Sequence, residues 1–197
     1  MADSTGLRSD EEIEAARIGG AELHNAPIYL APYSSEWPAL FEREAARVRD
    51  VLGDRVVMLE HVGSTSVPGL SAKPRIDMLL VVDDSADEAS YVPPMEAAGY
   101  TLRIRERDWH EHRLFKGPDT DINLHVHTVG CAEIERMLGF RDRLRSNEHD
   151  RVVYEQKKQE LGQRTWKYVQ LYADAKSEVV EDIISRTSAS GAVCITH

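Results

Sequence analysis

Apolar residues along the chain follow two rhythms. Trp37, Phe41, Ala45, Val48 and Leu52 recur every three or four positions, with Glu36, Glu42, Arg43 and Arg49 falling mostly between them. This spacing predicts an amphipathic helix that ends at Gly53. Ahead of it, Ile28-Tyr29-Leu30 reads as a short strand, and Pro32 with Ser34-Ser35 as a break and an N-cap. After it the rhythm shortens. Val56 to Leu59 and Ile76 to Val82 are β-rich runs, Ala86 to Ala98 is a helix kinked at Pro93-Pro94, and Tyr100 to Arg105 is a strand. A hairpin follows around Gly117-Pro118-Asp119-Thr120. In its second arm Ile122, Leu124 and Val126 take one face while Asp121, Asn123, His125 and His127 take the other, because side chains alternate along a strand.

From Ala132 the periodicity is helical throughout. One helix carries Ile134, Met137, Leu138 and Leu144, a charged one runs from Glu148 to Gln163, and a long last one from Trp166 to Arg186 buries Val169, Tyr172, Ala173, Val179, Val180 and Ile183. Mixed elements followed by helices alone predict an α+β fold with a helical C-terminal extension. Residues 1–26 are polar, with a helical candidate at Asp10 to Arg17, and read as an arm or a weakly docked helix. Residues 188–197 read as a flexible tail. There is no internal repeat.

Composition narrows the functional classes. A chain of 197 residues with 42% apolar content can bury a sizeable core without disulfide or metal staples. Its net charge of −10 excludes a general grip on nucleic-acid backbones, which needs clustered cations. Phosphate binding, if present, has to be local. Cys131 and Cys194 lack C-x-x-C spacing, so a thiolate zinc site or disulfide scaffold is not expected and a reducing cytoplasm is. The N-terminus lacks signal-peptide regions and no run approaches the roughly 20 apolar residues of a membrane span, so no membrane partner is expected. Oligomeric state is left open.

Between the first two β-rich runs stand His61-Val62-Gly63-Ser64-Thr65-Ser66-Val67-Pro68-Gly69-Leu70 and then Lys73-Pro74-Arg75-Ile76-Asp77. Small residues let backbone N–H groups approach an anion, hydroxyls add donors, and a carboxylate beside a phosphate suits a divalent cation. A nucleotide or another phosphorylated small molecule fits that combination; a plain connection between two core strands fits it equally. Lys73 and Arg75 flank the acid, and Arg113 has the fork geometry to clamp a phosphate. His125 and His127, joined by His110 and His112, have spacing for metal ligation or for a general base beside a ligand; they fit equally a polar network with Asp108, Glu111 and Asp121. Lys167, Tyr168 and Lys176 face either this site or solvent.

The Gly63-Ser64-Thr65-Ser66-Val67-Pro68-Gly69 loop with Lys73 to Asp77 resembles the GrpB family, within the nucleotidyltransferase-fold superfamily. Pro32-Tyr33, Glu36-Trp37-Pro38, Trp109 to Arg113, Asn123 to Val126 and Trp166 to Gln170 match in the same order, so the resemblance spans residues 27–187. It implies a mixed sheet flanked by helices, with Gly63 and Ser64 as the Gly-Ser element near nucleotide phosphates and Asp77 as the first acid. Leu79 stands where the second acid is usual, and Asn123 lies on the strand that usually offers a third. The implied activity is nucleotidyl transfer from a nucleoside triphosphate to a small molecule or protein. In that picture Gly63, Ser64, Thr65, Ser66 and Lys73 hold phosphates, and Asp77 holds a divalent cation, Mg²⁺. His125 or His127 acts as base with His112 beside them, and Asn123, Arg113, Lys167, Tyr168 and Lys176 complete the ligand contacts. The missing acid motivates two alternatives: a non-catalytic nucleotide-binding module, and an enzyme of other chemistry on the histidine face.

Overall fold

A computed structural model describes residues 7–190, the side chains of 187–190 excepted; Cys194 and most of the expected tail lie outside it. Five strands, β1 (Met58–Val62), β2 (Ile76–Val82), β3 (Thr101–Glu106), β4 (His112–Lys116) and β5 (Ile122–Thr128), form one sheet in the order β1-β2-β5-β4-β3. β2 and β5 run parallel and every other neighbouring pair is antiparallel. This is the mixed-sheet α+β frame that the resemblance implies.

Strand alternation divides the sheet into two faces. On one, Leu59, Met78, Leu80, Phe115, Leu124 and Val126 pack against α2 (Trp37–Leu52) and α3 (Glu88–Ala97). The predicted stripe Trp37, Phe41, Ala45, Val48 and Leu52 is buried throughout, and Gly53 closes α2 at φ 55°. Each large side chain buried in this layer contributes about 1.5–3 kcal/mol. The other face carries Val62, Asp77, Leu79, Val81, Asn123, His125 and His127. It is covered by α4 (Ala132–Ser146), α5 (Glu148–Gly162), α6 (Val169–Asp174) and the N-terminal segment, while α7 (Ser177–Ser190) packs on the outside against α4 and α5.

Three sequence expectations change. Residues 28–30 form no strand; isolated bridges pair Ala26 with Trp166 and Ala31 with Ala72, and the segment is held by these and by Ile28 against Leu161, Trp166 and Tyr172. The expected helix from Trp166 to Arg186 is broken. Trp166 bridges to Ala26 and donates its indole N–H to Leu161, so helix resumes only at Val169 and turns again at Ala175-Lys176. The expected loose arm is docked: α1 (Asp10–Ala16) buries Ile13, Arg17 bridges to Ile104 on β3, and Arg8 pairs with both Glu106 and Asp174. Its partners lie far away in sequence, which is why composition suggested weak docking.

Candidate functional site

β1 ends at Val62, which sits opposite Asp77 on β2. The chain then turns through Gly63 at φ 68°, ψ −172°, a region that only glycine adopts readily. A Cβ on Gly63 would lie 2.5 Å from Asp77 Oδ2. Glycine is therefore required both by the turn and by the close approach of its backbone to the acid. The short helical turn Ser64–Ser66 follows, and its hydroxyls are largely committed to holding it. Ser66 Oγ donates to the Gly63 carbonyl (2.6 Å), Thr65 Oγ1 lies 3.0 Å from His61 Nε2, and the Arg145 guanidinium donates twice to the Ser66 carbonyl. Gly63, Ser64 and Thr65 face the pocket described next; Ser66 faces away, and its expected role in phosphate contact is withdrawn.

Beside the turn opens a cavity of about 850 Å³ whose walls present seven cationic side chains and three carboxylates. In a chain of net charge −10 this is a local reversal of sign. Four lysines dominate it. Lys73 comes from the loop before β2, Lys116 from β4, Lys158 from α5 and Lys176 from the turn after α6, so the C-terminal helices form a wall of the site. Burial pushes Lys73, Lys116 and Lys176 down to about 8, helped by the Lys176 charge at Lys73 and the Arg75 charge at Lys116. Burial and Lys176 bring Lys158, fully enclosed, to about 7. Tyr172 lies between two of these groups, with Lys73 Nζ 5.6 Å and Lys176 Nζ 4.5 Å from its ring centre. Its buried hydroxyl has no hydrogen-bond partner among the described residues. Crowded ammonium groups and an orphaned hydroxyl both call for an anionic ligand rich in oxygen.

Asp77 is the acid at the centre. Burial raises its pKa, but the His125 ring and charge, the Asn123 amide and the Lys73 charge outweigh this and hold it at about 2. Lys116 donates to Asn123 Oδ1 and Asn123 Nδ2 donates to Asp77 Oδ1, each over 2.7 Å, so the lysine fixes the orientation of the amide. His125 Nε2 stands 4.0 Å from Asp77 Oδ1.

The remaining expected site residues separate. Lys73, Asn123, His125 and Lys176 join Asp77 in the pocket. His127 does not: it pairs with Val81, four residues and roughly 13 Å along the strand from the Asp77 row, and is buried beside Cys131, His112 and Trp109. Burial drops its pKa to about 3. His112 is also buried and touches the pocket only through His125. Arg113 pairs with Val126 and so projects on the opposite face, bound to Glu88 and Glu111. Lys167 is held by Asp10 and Tyr168 by Glu14, both on α1, outside the pocket. Sequence reading missed Lys116 and Lys158. Lys158 had a signal, since it falls between Tyr154 and Leu161 on the helical spacing of the buried face of α5.

A pair of divalent cations does not fit this donor set. Leu79, in the place of the second acid, is buried with Val62, Val81 and Ile134. Asp77 is a single carboxylate already occupied by Asn123, with Lys73 and Lys176 close enough to sense its charge. The ammonium groups of Lys73, Lys116 and Lys176, all of which sense its charge, repel a cation and attract an anion. No group of three or more His, Cys, Asp or Glu among the described residues is arranged to hold a metal ion.

The site is thus a basic pocket on a mixed five-stranded sheet, with a Gly-Ser turn between the first two strands and an acid opening the second. The chain belongs to the GrpB family, whose model, described as GrpB protein, matches residues 27–186. It is 59% identical over 183 residues to a UPF0157 protein of Halalkalibacterium halodurans, covering 93% of this chain and 94% of that one. A UPF0157 protein of Streptomyces coelicolor is 40% identical, with 96% and 99% covered. The crystal structure of GrpB from Enterococcus faecalis superposes with a TM-score of 0.72 at 29% identity, covering 83% of this chain and 99% of that chain. No helix among the described residues is long and apolar enough to cross a membrane.

Proposed function

We propose that this pocket binds the phosphates of a nucleotide, or of a phosphorylated small molecule of similar charge, and transfers the bound phosphoryl or nucleotidyl group to a hydroxyl acceptor. The observation that carries the reading is the convergence of Lys73, Lys116, Lys158 and Lys176 on one cavity with Asp77 and the Gly63 turn. The lysines supply the charge neutralisation that metal ions give where several acids are present. In the transfer the acceptor oxygen bonds to phosphorus, and the bond from that phosphorus to the leaving oxygen breaks. The leaving group stays paired with lysine, and the hydroxyl proton passes to His125 Nε2. Asp77 then faces the imidazolium so formed.

The test is thermal stabilisation by ATP, CTP, GTP, UTP and pyrophosphate, each in EDTA and in Mg²⁺. A ligand of the folded state raises stability by roughly 2.7 kcal/mol at a hundredfold excess over its Kd. Stabilisation that persists in EDTA supports the reading; none with any of the five removes it. Leu79 favours a second reading, a sensor that binds the same ligands without turning them over. Bound nucleotide recovered intact after prolonged incubation with hydroxyl acceptors would favour that reading.

A further inference from the structure

Behind His125 lies a line of groups whose hydrogen-bond polarity can be followed from one end to the other. Arg8, a donor only, gives Nη1–H to Glu106 Oε1 (3.0 Å). Glu106 Oε2 stands 2.7 Å from His112 Nδ1, and this pair is buried under Trp109, whose ring centre is 5.4 Å from that of His112. Interaction with His112 and the Arg8 charge hold the Glu106 carboxyl below its usual range against the effect of burial, so it is an acceptor. The His112 proton is therefore on Nδ1. Burial, opposed by Glu106, brings His112 to about 4, so the ring is neutral at pH 7 and its Nε2 carries a lone pair. His125 Nδ1 lies 3.0 Å from that lone pair, with the two rings within 21° of parallel. His125 has to donate there.

We propose that Glu106 and His112 set the tautomer of His125, placing its proton on Nδ1 and leaving the Nε2 lone pair open to the Asp77 pocket before any ligand arrives. A neutral histidine free in water prefers the opposite tautomer, with the proton on Nε2. His125 is thus prepared to take a hydroxyl proton. The O–H bond breaks, an N–H bond forms on Nε2, and the charge of the imidazolium falls between Asp77 and the His112 lone pair. Glu106 and His112 are positioning residues, sealed from the cavity, and Arg8 ties their order to the docking of the N-terminal segment on Asp174. This rests on the proposed function for its purpose, but its geometry can be tested without a ligand.

The experiment is two-bond ¹⁵N–¹H correlation on the full chain with ¹⁵N-labelled histidine, ligand-free and at a pH where His125 is neutral. The expected result is a protonated Nδ1 and an unprotonated Nε2 on His125, with the same tautomer on His112. Glu106→Gln gives the sharper outcome. Arg8 holds the amide oxygen, the amide nitrogen becomes a donor to His112 Nδ1, and the inversion passes along the line, so both rings move their protons to Nε2. A wild-type His125 protonated on Nε2 overturns the proposal even if the variant does not fold, as does a folded Glu106→Gln chain with unchanged tautomers. Nucleotide stabilisation is read separately, so failure of the tautomer assignment and failure of the binding reading are distinguishable.

Discussion

The polar face of the sheet has two ends, both built from residues that carry chemistry, and they differ in what covers them. At one, Asp77, Asn123 and Lys116 border a cavity walled by lysines from three further segments. At the other, His127 and His112 are buried against Trp109, with Cys131 beside His127. His125 is the only one of the three residues His112, His125 and His127 that lines the cavity. Residue type and strand face are therefore shared by the two ends, and the cover decides which of them meets a ligand.

Gly63→Ala should break the open end most completely. A side chain there requires a backbone region costing about 1–3 kcal/mol for any residue but glycine, and its Cβ would displace Asp77. Urea denaturation should show a loss of that order, and nucleotide stabilisation should disappear. Retained stabilisation would mean that the turn and Asp77 are not part of the ligand site.

Lys158→Met separates binding from folding at the same end. The enclosed amine is replaced by an apolar chain of similar length, so relief of the buried charge offsets the lost hydrogen bond to the Ser71 carbonyl and the melting temperature of the free protein should change little, while a charge-assisted ligand contact worth about 1.5–3 kcal/mol is lost. Phosphate-ligand affinity should fall roughly 10- to 100-fold by calorimetry. In the wild-type chain affinity should weaken as pH rises past about 7, where Lys158 loses its proton, and further past about 8, where Lys73, Lys116 and Lys176 lose theirs. Affinity unchanged by both tests would place the ligand elsewhere.

How much of this was legible in the sequence follows from the range of each signal. Strand alternation assigned Asn123, His125 and His127 to one face and the apolar residues between them to the core, because period-2 patterning is local. Gly63 and Asp77 were visible as a turn glycine and a strand acid at the two ends of one connection between β-rich runs. What covers each stretch of face is set by contacts across the chain. Lys158 meets Ser71 over 87 residues, and Arg8 meets Asp174 over 166. No periodicity carries such pairings. For the same reason Arg113 was misplaced: β3 and β4 are related through a register shift between Leu102 and Ile104, and only pairing with Val126 shows which way the guanidinium projects.

The closed end should report itself through acid stability instead of ligand binding. Burial keeps His112 and His127 from accepting protons until about pH 4 and 3, whereas in the unfolded chain they titrate near 6.5. Between these values the unfolded state binds more protons, so stability falls as pH drops from 6.5 towards 4. His61, lowered to about 4 beneath the Gly63 turn, adds to the same limb. His127→Leu should flatten that limb in pH-dependent urea titrations and leave nucleotide stabilisation intact. Loss of the ligand effect in this variant would erase the distinction between the two ends.

The smallest effect is expected where sequence reading placed a ligand contact and the fold places a surface pair. Lys167 is held by Asp10 of α1 and lies over the Tyr168 ring at 5.1 Å, outside the pocket. Exposed pairs of this kind are screened by water and salt, and ordering two long side chains offsets much of their attraction. Lys167→Ala should therefore leave both the urea midpoint and the nucleotide-induced shift where they are. Lys176→Ala, nine residues further on in the same C-terminal stretch, should reduce the nucleotide-induced shift. Side by side, the two substitutions ask whether the break at Ala175-Lys176 turns one lysine into the cavity while the docked segment keeps the other out. Equal losses of ligand stabilisation in both variants would show that the N-terminal segment moves aside and that the pocket extends to Lys167.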